Sequence, residues 1–201
     1  MKYLLKLGAA PEKVVLGLPA YGQTYLVENN DNVGMGSKVL EGGPQGPYTR
    51  QKGFRGFNEI CIEFAKNKEW TLFWDENSTT PYATNGNHLI SYDDERSITE
   101  KVNLGMKYKL GGFMLWSIDT DDFHGDCENE REKNHHHGAN ANHNKFPLLR
   151  TIHRAVESYV DDGSDNDEIT NNDIDDSKNS SGAVFMPSVF VSVIYFLYVV
   201  L

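Results

Sequence analysis

Two kinds of apolar spacing alternate along the first 160 residues. A continuous run, Val14–Leu18, lies between Lys13 and Pro19 and predicts a buried strand. Residues 22 to 53 are rich in Gly, Asn and Pro and predict long loops with short strands. Phe57, Ile60, Cys61 and Phe64 fall on one helical face, predicting a helix over 57–66. From 70 to 92, short strand patterns are broken at Asn77, at Pro81 and at the turn Asn85-Gly86-Asn87. Asp94 is placed to cap a helix whose apolar stripe is Ile98, Val102 and Met106. Gly111-Gly112 stops that helix and starts a strand through Phe113, Leu115 and Trp116. A polar loop over 128–145 and a helix over 146–159 follow. Residues 2–8 read as the end of a helix, with Gly8 near its C-cap and Pro11 beyond.

The order is therefore strand, α+β segment, helix, strand, helix. The last apolar strand follows Gly111-Gly112, ends in Trp116-Ser117 and passes at once into Asp119, Asp121 and Asp122. A large indole at the carboxyl end of a buried strand has two readings. It packs in a core, or it forms the floor of a site that stacks a flat-faced ligand such as a sugar ring.

The chain has 201 residues and a net charge of −10. Eight acids and no base lie in residues 161 to 176, and without them the charge is −2. The part with globular patterning is thus nearly neutral, which argues against a nucleic-acid partner. Met1–Gly8 is not a secretory leader, because its apolar run is short and Lys6 interrupts it. A chain that opens in mid-helix is expected to be a fragment of a longer product. Ala183–Leu201 has no charged residue and is long enough to span a bilayer. Asn179, Ser180 and Ser181 fit the small-residue attachment site of a glycosylphosphatidylinositol anchor, with 182–188 as spacer. A retained membrane anchor is the alternative.

Cys61 and Cys127 are the only cysteines, read either as two buried thiols or as one bridge. Asn77-Ser78-Thr79 and Asn179-Ser180-Ser181 are glycosylation sequons. His135, His136, His137 and His143 lack the spacing of a metal centre and read as a polar loop. No cofactor or metal is expected.

Several blocks occur in a telling order: Gly17-Leu18-Pro19-Ala20-Tyr21-Gly22, Gly46-Pro47-Tyr48-Thr49, Asn58-Glu59-Ile60-Cys61, Ser91-Tyr92-Asp93-Asp94, and Gly111 to Cys127. Together, over roughly residues 2 to 159, they closely resemble the C-terminal part of glycoside hydrolase family 18 chitinases of the arthropod type. The resemblance implies strands seven and eight of a (β/α)8 barrel, an α/β fold, with an α+β insertion over about 22–92. It divides the chain into a catalytic-domain portion (1–159), an acidic linker (160–181) and an apolar tail (182–201). Barrels of this kind carry their sites at the carboxyl ends of the strands.

By the same resemblance, Trp116 is the floor under the sugar at the −1 position, Tyr21 lies beside it, and Glu59 reaches in from the insertion. Gln23 stands where many members have Arg, and Leu89 where many have Trp. Asp119 and Asp122 are loop-ordering groups. The family pairs cysteines at positions matching Cys61 and Cys127. Its chemistry is substrate-assisted: a glutamic acid protonates the glycosidic oxygen, and the substrate's acetamido carbonyl attacks the anomeric carbon, unlike the usual two-carboxylate scheme.

The glutamic acid belongs to an Asp-x-x-Asp-x-Asp-x-Glu signature that this chain lacks. The near-match from Asp162 ends in Ile169 where Glu is required. No catalytic residue is therefore expected here, and the chain alone is expected to be inactive. Glu59 and Glu95, the glutamates nearest the cleft, do not stand at strand ends. Two strands cannot close a barrel, so low independent stability is expected.

The implied partners are chitin or N-acetylglucosamine oligomers, with a membrane reached through the C-terminal anchor and an extracellular, cell-surface location. The rival expectations are a non-catalytic chitin-binding or adhesion protein, and an interaction module on an acidic stalk.

Overall fold

A computed structural model describes residues 1–28, 32–127 and 145–161. Helix α1, Lys2–Lys6, ends at Leu7, and Gly8 follows with φ +91°, the left-handed conformation a helix stop needs. A 3₁₀ turn at Pro11–Lys13 leads into β1, Val15–Pro19. Strands β2 (Tyr21–Val27), β3 (Val39–Gly42) and β4 (Phe54–Gly56) precede helix α2, Phe57–Lys66. Strands β5 (Thr71–Asp75), β6 (Thr80–Asn85) and β7 (His88–Ser91) come next. Helix α3 (Glu95–Lys107), strand β8 (Gly112–Trp116) and helix α4 (Pro147–Asp161) complete the order.

Two sheets result. β1 and β8 pair in parallel, from Val15 opposite Gly112 to Pro19 opposite Trp116. The other sheet has the order β3-β2-β7-β6-β5, and β4 joins it along β2. Its strand pairs are antiparallel, as hairpin connections allow.

Strand β2 is the main departure from the loop-rich reading of 22–53. It is the longest strand and pairs with β3, β4 and β7. Gly22, Thr24 and Val27 are its buried positions. Two of them are small or polar, so the strand carries little of the apolar alternation that announces one.

The principal core gathers Leu18, Phe113 and Leu115 from the parallel pair. Phe57 and Cys61 come from α2, Ile98 and Val102 from α3, and Leu148, Ile152 and Ala155 from α4. Burying Phe113 and Leu18 contributes about 1.5–3 kcal/mol each. Gly105 is what lets α3 approach β8: a Cβ there would meet the Phe113 ring at 2.5 Å. Period-two alternation sends Leu16, Leu18, Phe113 and Leu115 toward the helices, and Val15, Gly17, Met114 and Trp116 to the opposite face. On that opposite face Val15 is 49% and Trp116 38% exposed. The parallel pair thus has one covered face and one open one.

The helix ends follow local chemistry. Asp94 accepts the Ser97 N–H at 2.9 Å, and the Ser97 hydroxyl accepts the Asp94 N–H at 3.0 Å, a reciprocal cap. α4 begins with Pro147, whose missing N–H costs nothing in a first turn.

Candidate functional site

The strand ends of the parallel pair are tied to three other segments. Ala20 N–H donates to the Trp116 carbonyl at 2.7 Å. Phe57 N–H donates to the Ala20 carbonyl at 2.9 Å, and Asn58 N–H to the Thr120 carbonyl at 3.1 Å. The first turn of α2 is therefore pinned to both strand ends by main-chain bonds. Trp116 and Tyr21 arrive at the same end of the sheet, because Pro19 pairs with Trp116 and Tyr21 lies two residues further on. The Trp116–Ser117 peptide bond is cis.

Tyr21 is half-buried, and its ring lies 4.7 Å from that of Phe54 on β4. Gln23 is exposed and follows Tyr21 on the same face of β2, opposite Phe54 on one side and Ser91 on the other. Leu89 is buried in the antiparallel sheet at 5% exposure.

Glu59, expected to reach in from the insertion, lies in the first turn of α2. It is 4% exposed. Oε1 accepts the Tyr48 N–H at 2.6 Å and the Thr49 N–H at 2.9 Å. Oε2 accepts the Thr49 hydroxyl at 2.8 Å and the Gly56 N–H at 3.0 Å. Four donors thus surround one carboxylate, and all four belong to the segment from Gly46 to Gly56. Gly46 passes so close that a Cβ there would collide with both carboxylate oxygens. Glu59 folds this loop over itself, leaving Tyr48 72% exposed at the loop surface and Phe54 against Tyr21.

The acids after Trp116 divide the same way. The Ser117 hydroxyl donates to Asp119, and Thr120 N–H returns to the Ser117 carbonyl at 3.1 Å. Asp122 is 2% exposed and accepts N–H groups from Gly125, Asp126 and Cys127 at 2.9, 3.0 and 2.9 Å. Asp121 is fully buried and accepts the N–H groups of Asp122, Leu148 and Leu149 at 2.8, 3.4 and 3.0 Å. Burial pushes the Asp121 carboxyl above the usual carboxylate range, against the downward pull of those three donors.

Asp121 caps α4 from 27 residues away, a role the sequence analysis missed. The only local signal is a helix that opens Phe146-Pro147 with no Ser, Thr, Asp or Asn to cap it.

Cys61 and Cys127 form a disulfide with a Cα–Cα distance of 5.4 Å, joining α2 to the loop after β8. Asp122 offers an oxygen close to both sulfurs. Those sulfurs are bonded to each other, and the carboxylate is already held by three N–H groups, so the cluster is not built as a metal centre. The four histidines of the polar loop and Asn179 and Ser180 of the tail lie outside the described residues. Among the described residues, no helix is long and apolar enough to cross a membrane.

Two clefts of about 470 and 480 Å³ open elsewhere, between α3 and α4 and beside the disulfide, and neither is lined by Trp116 or Tyr21. The indole of Trp116 is exposed at the carboxyl end of a parallel strand, the end at which α/β barrels carry their sites.

Comparison with known proteins narrows that class. The model of glycosyl hydrolases family 18 matches residues 1–121. Probable chitinase 2 of Drosophila melanogaster is 37% identical over 218 residues, covering 97% of this chain and 44% of that protein. The structure of a Group IV chitinase of Ostrinia furnacalis in complex with allosamidin superposes with a TM-score of 0.67 at 35% identity, over 81% of this chain and 38% of that one. Human YKL-39, described as a pseudo-chitinase with retained chitooligosaccharide binding properties, superposes at 0.65 and 32% identity, over 77% and 38%. The chain belongs to glycosyl hydrolase family 18, and it spans less than half the length of these relatives.

Proposed function

We propose that residues 1–159 supply strands seven and eight of a family 18 barrel, with the segment of about 22–92 as its α+β insertion, and that their strand ends form the floor of a chitin-binding cleft. The supporting observation is the pairing of Pro19 with Trp116, which puts an exposed indole at the strand end that Tyr21 follows by two residues. Trp116 stacks an N-acetylglucosamine ring and Tyr21 and Gln23 flank it. Glu59 serves from behind by holding the loop that carries Tyr48 and Phe54. Aromatic stacking fixes the ring against one face, which is what positioning and ring distortion require of this half of the site.

The general acid is not supplied by these residues. Hydrolysis of β-1,4-linked N-acetylglucosamine polymers is the activity of a protein that also carries the signature glutamate on an earlier strand. Simple chitin binding is the second reading. It is favoured by the likeness to a pseudo-chitinase that retains oligosaccharide binding. The disulfide fits an extracellular setting. The linker and tail, with Asn179 and Ser180 as attachment positions, make a membrane anchor for that setting.

The test joins this chain to the upstream half of a family 18 barrel and measures chitohexaose affinity. Trp116→Ala loses about 1 kcal/mol or more of stacking, roughly fivefold or more in Kd. Unchanged affinity in a stably folded variant would return Trp116 to the role of a packing residue.

A further inference from the structure

We infer that Asn77 carries an N-linked glycan whose place in the fold is to cover the open edge of the antiparallel sheet. This goes beyond the chitin-binding reading and does not rest on it. Asn77-Ser78-Thr79 lies in the four-residue connection, Glu76 to Thr79, between β5 and β6. Asn77 and Ser78 are exposed. The turn is held from below: Asp75 accepts both the Ser78 N–H at 2.9 Å and the Ser78 hydroxyl at 2.5 Å. Those bonds hold the Asp75 carboxyl below its usual range, so it keeps its charge and its grip on the turn. The amide acceptor is thus presented on a fixed hairpin tip, with Thr79 two residues on to complete the sequon.

The strand beside it gives the glycan a task. β5 ends the sheet, and among the described residues it pairs only with β6. It reads Thr-Leu-Phe-Trp-Asp, with neither lysine nor proline to blunt it. Leu72 is 57% and Phe73 41% exposed. An apolar, unpaired edge is a template for pairing with another chain. Asn77 stands two residues past the end of β5, in the turn to β6. A bulky, hydrated oligosaccharide at that point screens the edge.

The chemistry is transfer from a polyprenyl-diphosphate-linked oligosaccharide. The Asn77 side-chain nitrogen bonds to the anomeric carbon and gives up one proton. The carbon–oxygen bond to the diphosphate breaks, and the polyprenyl diphosphate leaves.

To test this, the full chain is expressed into the secretory pathway of a eukaryotic cell behind a cleavable leader. The tryptic peptide spanning 69–96 is then treated with peptide N-glycosidase in heavy-oxygen water. Aspartate tagged with heavy oxygen at position 77 is expected in most copies, and none in Thr79→Ala, which keeps Asn77 but destroys the sequon. Recovery of the untreated peptide with an unmodified Asn77 would overturn the assignment. Sedimentation of the glycosylated chain and of the same chain after enzymatic deglycosylation tests the covering role. Deglycosylation should produce concentration-dependent association, and Leu72→Lys should suppress it. Identical sedimentation before and after deglycosylation, or association that Leu72→Lys leaves untouched, would overturn the edge-covering role.

Discussion

Replacing Glu59 with glutamine removes one acceptor oxygen and the charge while keeping the shape. Each carboxylate oxygen receives two donors, so whichever is replaced confronts two donors with an NH2 group. The cheaper arrangement puts the NH2 at Oε2, because the Thr49 hydroxyl can turn to the Phe54 carbonyl, 3.4 Å away. The Gly56 N–H then stays buried and unpaired, at about 1–3 kcal/mol, and the bonds remaining at Oε1 lose their charge assistance. The expected cost is about 3 kcal/mol, and it falls on the loop first. Amide exchange at Tyr48, Thr49 and Gly56 should quicken by roughly 100-fold in Glu59→Gln, on the scale of 1.4 kcal/mol per tenfold. Amides in the core of α3 should change far less. The reasoning fails if those three amides keep their protection while chito-oligosaccharide affinity drops, for Glu59 would then serve the ligand directly.

Three further outcomes follow from the geometry. In the completed barrel, Cys61→Ala/Cys127→Ala should lower the unfolding free energy by roughly 4 kcal/mol in urea melts, since the bridge closes a loop with a sequence separation of 66; a change below 1 kcal/mol would count against it. Asp121 titrates above the unfolded aspartate value of about 3.9, so its contribution is fully present below that pH and is lost as pH rises through the higher folded value. Asp121→Asn should therefore flatten the fall in unfolding free energy over that window, and a steeper fall in the variant would refute the sign. The chain by itself, with one face of its parallel pair open, should melt in urea with a broader and earlier transition than the completed barrel; coincident curves would show that it needs no further strands.

Much of this arrangement was legible in the residues, and what was not has a common cause. Helix α2 falls at 57–66 as its apolar spacing predicts, because Phe57, Ile60 and Cys61 carry the buried face. β1 and β8 were announced by short apolar runs ending at Pro19 and Trp116. The cysteine pairing implied by the family resemblance is formed. β2 was hidden because its inward positions include Gly22 and Thr24, chosen for close approach and not for hydrophobicity. The hydrogen bonds of Glu59 and Asp121 were hidden because six of the seven come from main-chain N–H groups, which any sequence supplies. Asp121 meets Leu148 and Leu149 only after the chain has returned 27 residues later. A buried carboxylate that organises a loop and one that meets a ligand carry the same letter.

The central claim is that Trp116 is a sugar platform, and its indole N–H signal tests it most directly. In the completed barrel, titrated with chitohexaose and separately with cellohexaose, the Trp116 resonance should shift saturably with chitohexaose, while those of Trp70 and Trp74, in the antiparallel sheet and its approach, stay in place. A Trp116 signal that does not move while chitohexaose binds, or shifts confined to Trp70 and Trp74, would contradict the account.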